Sequence, residues 1–352
     1  MIYQVAAVVI SAICIIHVYR FIFRKQYEKY DVIYKHYPGP CKQLLGPDGG
    51  GSEDLTTLPD GLTFISSGLL PSKQGRILMF DFNDRKEKLT ELKIDRPISN
   101  FHPHGISVWQ EPKSDSITLF IVNHGDVESV EVVEYKRGST VLKHIKTILT
   151  GGRTFNDIVA VAKDKFYGTQ YMEYTNTWLL AEIEQYAMLD LGKLWFYDGQ
   201  ELKLIASGFG FPNGINASPD LKYIYMATYS EKRILAFKRN DDNSLELIQK
   251  VFIDTGPDNI EVDPKTGDLW IGCHARSHQI ETYSALGGKG LSASQVLKIK
   301  TKDGNLTSDI TEIFLDDGHF CSGSATPSYY KGRMILGTVG TELIICDVLN
   351  NN

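Results

Sequence analysis

The chain has 352 residues, 42% of them hydrophobic, enough to bury a large core in one large domain or two. Its net charge is -6, and no basic stripe with interleaved aromatics occurs, which argues against nucleic acid as a partner. Residues 2–23 are almost wholly apolar, broken only by Gln4, Ser11, His17 and Arg20. About 18 apolar residues meet the minimum for a membrane span. No Ala-x-Ala-like site follows, which favours a retained anchor helix over residues 1–24 above a cleaved signal peptide. Arg20, Arg24, Lys25 and Lys29 lie C-terminal to the span and by charge alone would hold the body in the cytoplasm. Residues 25–52 form a juxtamembrane segment, where Pro38-Gly39-Pro40 breaks any helix. Gly49-Gly50-Gly51 lacks a following Lys-Ser or Lys-Thr, so it is not a phosphate loop.

From residue 53 onward one unit recurs: a polar head, a short apolar strand, a tight turn and a second apolar strand. The clearest copy runs from Asp258-Asn259-Ile260 through the Pro264 turn to Gly272-Cys273-His274. The others begin at Glu53, His104, Asn156 and Asn213, with a weaker sixth at Ser324. The period is roughly 50 residues, in the range of propeller blades. A unit of this kind cannot cover its own apolar faces, so the copies are expected to pack radially as an all-β, six-bladed β-propeller over residues 53–352. A pair of β-sandwiches with chance similarity is the competing architecture. Residues 175–193 have helical spacing and interrupt the repeats, as a packing insert or a lid.

Five cysteines bear on the compartment. Cys14 lies in the apolar run, and Cys273 and Cys321 are expected as buried free thiols. A ring must join its chain ends, which makes Cys41 to Cys346 the natural bridge. In the entropic account such a closure is worth about 5 kcal/mol. It requires an oxidising environment and so favours a lumenal or extracellular propeller. Asn305-Leu306-Thr307 is a sequon in a polar turn and the expected glycosylation site. Asn216-Ala217-Ser218 lies inside a repeat head and is expected to stay unmodified.

The heads carry the chemistry. Glu53, Asn156, Asn213 and Asp258, with Asn259 next in line, bring side-chain oxygens towards one axis. Carboxylates and amides converging in this way call for a hard cation, and Ca²⁺ takes six to eight such oxygens. Zinc ligands at short spacing are missing. One position along, Asp54 and Asp157, with the carbonyl of Ile106, suit a deeper structural Ca²⁺. His104 and His124, at opposite ends of one hairpin, can meet on the rim as a base and its orienting partner. His274 ends the matching strand of the fifth unit. No Gly-x-Ser-x-Gly elbow occurs, which disfavours a serine hydrolase.

Several stretches together resemble the paraoxonase/arylesterase family. They are Gly51-Ser52-Glu53-Asp54-Leu55, Pro103-His104-Gly105-Ile106-Ser107, Val122-Asn123-His124, Asn156-Asp157-Ile158, Asn213-Gly214-Ile215-Asn216, and Asp258-Asn259 through Gly272-Cys273-His274. The resemblance covers residue 40 to the C-terminus and extends to a retained hydrophobic N-terminus. It implies a six-bladed propeller with two calcium ions and hydrolysis of lactones, aryl esters and some phosphotriesters. Glu53, Asn156, Asn213, Asp258 and Asn259 would hold the catalytic ion. Asp54, Asp157 and Ile106 would hold the structural one. His104 and His124 would form the catalytic dyad, and Cys41 and Cys346 the disulfide. His102, where the family more often has Asn, is a departure. The expected partner is a small ester or lactone substrate. A non-catalytic chaperone or accessory subunit of another membrane protein is the alternative within the same resemblance.

Overall fold

Alternating β-branched and aromatic residues, punctuated by Gly, Pro and Asp, fold each repeat into four antiparallel strands. The computed structural model describes residues 7–8, 10–12, 14–15, 18, 32–46, 49–70, 75–175, 177–186, 188–340 and 342–349. Most of the expected anchor over 1–24, and residues 25–31, lie outside these. Among the described residues no helix is long and apolar enough to cross a membrane. Blades 1 to 5 span 55–94, 103–149, 155–209, 212–252 and 256–316. Blade 6 combines residues 324–347 with the strand Cys41–Leu45, so the two ends of the chain complete one sheet. The architecture is thus the six-bladed β-propeller that the repeat predicts, closed by an outer strand from the N-terminal side.

Each interface between neighbouring blades holds its own apolar cluster, because a twisted sheet has two apolar faces and each is covered by the next blade. Phe64, Ile77, Ile121 and Tyr135 fill the space between blades 1 and 2. Phe120 and Phe166 meet between blades 2 and 3, with ring centroids 5.6 Å apart. Trp270 stacks on Tyr329 at 4.7 Å between blades 5 and 6. Blades 1 and 2 also share a short parallel pairing, Lys93 with Val141 and Ile94 with Leu142, which fuses them into one eight-stranded sheet.

Cys41 lies opposite Cys346 in register, and the two form the disulfide expected at the seam. Glu87, from blade 1, pairs with Lys42 and Arg333 and pins the same seam from the next blade. Upstream, Ile33 packs against Ala275, Ala293 and Leu315, and the Tyr37 hydroxyl donates to Asp316 Oδ2 at 2.6 Å. Residues 32–40 are therefore strapped onto blades 5 and 6. Cys273 and Cys321 are buried and unbridged, as expected.

The insert over 175–193 contains helix α1 (Trp178–Tyr186), matching its helical spacing. A second helix, α2 (Ser277–Ala285), was not legible in the sequence. Its first turn carries no acidic residue, and Arg276 at its start makes no capping bond through its side chain, so the usual start signals are missing.

The inner strands of blades 2 to 6 share a device that positions the axial residues. Each begins with a β-bulge in which two residues oppose one, between Pro103 and Ile106, Phe155 and Ile158, Pro212 and Ile215, Pro257 and Ile260, and Ser324 and Pro327. Bulges re-aim side chains and recur beside active sites. The bulged pairs are His104-Gly105, Asn156-Asp157, Asn213-Gly214, Asp258-Asn259 and Ala325-Thr326. Blade 1 reaches the same level with Glu53-Asp54, just before Leu55 pairs with Ile65. Ser324 is therefore not the sixth head. The bulge register gives that place to Ala325, and the Ser324 hydroxyl turns aside to the carbonyls of Cys273 and Gln295. Two of the second positions are glycine for a steric reason. A Cβ on Gly105 would lie 2.5 Å from Asp157 Cα, and one on Gly214 would lie 2.4 Å from Asn259 Cα.

Candidate metal centre and active site

The bulges deliver Glu53, Asn156, Asn213, Asp258 and Asn259 to the axis, where all five are buried. Their hydrogen bonding is incomplete. Glu53 Oε2, Asn156 Oδ1, Asn213 Oδ1 and Asn259 Oδ1 have no partner among the described residues. Buried polar atoms without partners are rare, and each one needs a cause. Four such oxygens from four different blades share one cause most simply if they face a common cation. Asn259 Nδ2 donates to Glu53 Oε1 at 3.0 Å, and Asp258 Oδ2 lies 2.9 Å from His274 Nε2. These contacts orient both carboxylates while leaving the amide oxygens free.

Among the described residues no three His, Cys, Asp or Glu side chains converge as a soft or borderline metal site would require. The donor set is instead two carboxylates and three amides, all oxygen, which is the chemistry of a hard ion. The charge balance agrees. No Lys or Arg among the described residues pairs with Glu53, Asp54, Asp157 or Asp258, whose ion-pair contacts are with histidine alone. Burial, reinforced by Asp258, holds Glu53 well above the usual carboxylate range. Burial and then Glu53 push Asp54 up to about 7, and burial and Asp54 raise Asp157 well above its ordinary value. A divalent cation among these groups would reverse the sign of that effect.

Asp54 and Asp157 sit one residue deeper and are differently placed. Asp54 accepts the N–H of Leu55 at 2.8 Å and that of Ile106 at 2.7 Å, with the Thr326 hydroxyl at 3.0 Å. Asp157 accepts the N–H groups of Ile158 at 2.6 Å and Ile215 at 2.7 Å. Each carboxylate therefore ties its own blade to the next one.

Beside the axis, His104 Nδ1 lies 2.8 Å from His124 Nε2, so the two imidazoles expected to pair do meet. His104 Nε2 faces Glu53 Oε1 at 3.2 Å. His274 belongs to a separate contact with Asp258 in blade 5, three blades round the ring from the dyad in blade 2. Burial lowers the pKa of His104 to about 4, so its imidazole is neutral at pH 7. Burial also lowers that of His124, against the opposing effect of its hydrogen bond to the Glu128 carboxylate. His102 stands outside the dyad; its backbone carbonyl accepts the N–H of His124 at 3.1 Å.

Sequence reasoning missed three neighbours. Glu128 Oε2 is 2.7 Å from His124 Nδ1, placed there because His124 and Glu128 are directly paired across a hairpin. Tyr171 lies edge-on to both dyad rings at 6.5 Å and stacks obliquely on Phe211 at 5.1 Å. Phe211 holds a left-handed backbone, φ 52°, which for a bulky residue costs about 1–3 kcal/mol and is characteristic of functional sites. Glu128 was recoverable from its spacing of four after His124 across a three-residue turn. The two aromatics had no such signal, because each lies just outside a strand end.

Asn305 is exposed at a hairpin tip, as the sequon requires, whereas Asn216 Nδ2 is engaged by the Ile260 carbonyl and Glu261.

The sequence model of the family described as Arylesterase matches residues 38–348. Human serum paraoxonase/arylesterase 1 is 36% identical over 323 residues, covering 88% of this chain and 88% of the relative. Rabbit (Oryctolagus cuniculus) serum paraoxonase/lactonase 3 is 33% identical over 324 residues, covering 88% and 89%. Among solved structures, a luciferin-regenerating enzyme superposes with a TM-score of 0.56 at 12% identity, covering 89% of this chain and 96% of that one, a likeness of fold.

Proposed function

Because the chain belongs to the arylesterase family, we propose that it is a calcium-dependent hydrolase of carboxylic esters, with lactones and aryl esters as the leading substrates. The observation that supports this most is the set of four orphaned, buried oxygens beside a paired imidazole dyad. Glu53, Asn156, Asn213, Asp258 and Asn259 would hold one Ca²⁺. Asp54, Asp157 and the Ile106 carbonyl would hold a second, deeper one. When bound, the ion supplies electrophilic polarisation of the ester carbonyl. His104, neutral and held by His124, takes a proton from water as the water oxygen bonds to the carbonyl carbon. The same proton then passes to the departing alkoxide as the C–O bond breaks. Tyr171 and Phe211 form an apolar wall against which an aryl or acyl group can lie. The relatives' names, arylesterase and lactonase, support this substrate class.

The test is hydrolysis of phenyl acetate and of a δ-lactone by the purified chain with and without EDTA. We expect turnover that EDTA abolishes and added Ca²⁺ restores. Complete absence of EDTA-sensitive turnover would favour the accessory, non-catalytic role instead.

The Cys41–Cys346 disulfide supports a propeller on the lumenal or extracellular side, anchored through the N-terminal apolar run. Glycan release from cell-expressed protein should then lower its mass by one glycan, at Asn305. A mass unchanged by the glycosidase would count against that location.

A further inference from the structure

Two neutral imidazoles in series between two carboxylates can be hydrogen-bonded in either of two directions, and only one leaves a base. The series here runs Glu53 Oε1, His104 Nε2, His104 Nδ1, His124 Nε2, His124 Nδ1, Glu128 Oε2, with separations of 3.2, 2.8 and 2.7 Å across the three gaps. If the protons point towards Glu53, His124 donates from Nε2, His104 donates from Nε2, and the dyad offers no lone pair to the axis. If they point towards Glu128, His124 carries its proton on Nδ1, His104 carries its proton on Nδ1, and His104 Nε2 is left bare on the axial side, beside Glu53, as the base.

We propose that Glu128 is the positioning residue that fixes the second arrangement, by accepting the His124 Nδ1 proton and so setting both tautomers. This rests on the hydrolase reading for its purpose but not for its geometry. The contact at Glu128 is the shortest of the three, and the contact at Glu53 is the longest. Glu53 Oε1 already accepts from Asn259 Nδ2 at 3.0 Å, and its other oxygen faces the axial set, so it competes weakly for the imidazole proton. Glu128 itself is held in place. It pairs with His124 in register, and its backbone carbonyl accepts the Thr150 N–H at 3.2 Å and the Thr150 hydroxyl at 3.1 Å. Gly125 in the intervening turn has no room for a side chain, since a Cβ would lie 2.6 Å from the Asn100 carbonyl oxygen. The turn is fixed against its neighbour, which holds the backbone of His124 and of Glu128 at this separation. Once His104 has taken the proton, its Nε2–H points at Glu53, and Glu128 shares the positive charge from the far end.

The substitution Glu128→Gln separates the alternatives, because an amide N–H can donate to His124 Nδ1 and so favours the opposite direction. Histidine-¹⁵N-labelled protein, stripped of metal, is examined by long-range ¹H–¹⁵N correlation, which distinguishes Nδ1–H from Nε2–H. The wild type is expected to show Nδ1–H on His124 and His104, and Glu128→Gln to show Nε2–H on both. With Ca²⁺ restored, Glu128→Gln is expected to lose about 100-fold or more in kcat with KM within about two-fold, as a wrong tautomer does elsewhere. Glu128→Asp should recover part of that loss. Wild-type protein with Nε2–H on His124 overturns the proposal even if the variant fails to fold. An unchanged kcat in Glu128→Gln beside an active wild type overturns it while the hydrolase reading stands. A tautomer switch between wild type and Glu128→Gln, with a wild type that hydrolyses nothing, supports the assignment of Glu128 and sinks the hydrolase reading.

Discussion

The upper and lower layers of the axis differ by one residue in sequence and by everything in bonding. Asn156 and Asp157 are neighbours, yet Asn156 Oδ1 has no partner while both oxygens of Asp157 accept backbone N–H groups. Glu53 and Asp54 repeat the contrast, with Glu53 Oε2 orphaned and Asp54 bonded to Leu55 and Ile106. The lower layer is knitted by the protein's own amides and stitches blade 1 to blade 2 and blade 3 to blade 4. The upper layer is left open. A buried polar set that the chain itself leaves incomplete has donors free for a ligand, so the lower layer should govern folding and the upper layer chemistry.

That division is sharpest in substitutions that keep shape and remove charge. Glu53→Gln should reduce ester hydrolysis about 1,000-fold or more while leaving the urea midpoint of the metal-free protein nearly unchanged. A large loss of stability with little loss of activity would invert the assignment of the layers. Asp157→Asn should act the other way. It removes a charge-assisted acceptor that joins blades 3 and 4, and should cost about 1–3 kcal/mol in unfolding free energy. Circular dichroism in a urea series measures it. A stability equal to wild type would show that the lower layer does not bind the blades together.

The contrast also explains what the sequence disclosed. The heads were legible because the propeller repeats them, and a period of roughly 50 residues survives substitution of any one copy. Their convergence was legible because a closed ring has one axis. The register of the weakest copy was not, since it depends on a bulge of one residue, and the misplacement of Ser324 by one position is that error. His104 and His124 were readable as the two ends of one hairpin. Glu128 was readable from its spacing across the hairpin from His124 but was passed over, whereas Tyr171 and Phe211 depend on contacts between blades that no local pattern encodes. The short helix Ser277–Ala285 was lost for want of a cap. The strapping of Ile33 and Tyr37 onto blade 5 was lost because an irregular segment carries no period.

Calcium titration calorimetry on the EDTA-stripped chain tests the open upper layer most directly. Wild-type protein is expected to bind two ions, and Glu53→Gln to bind one, with the deeper site at Asp54 and Asp157 retained. Wild-type protein that takes up no calcium, or a Glu53→Gln variant that still binds two ions with unaltered affinity, would contradict the account.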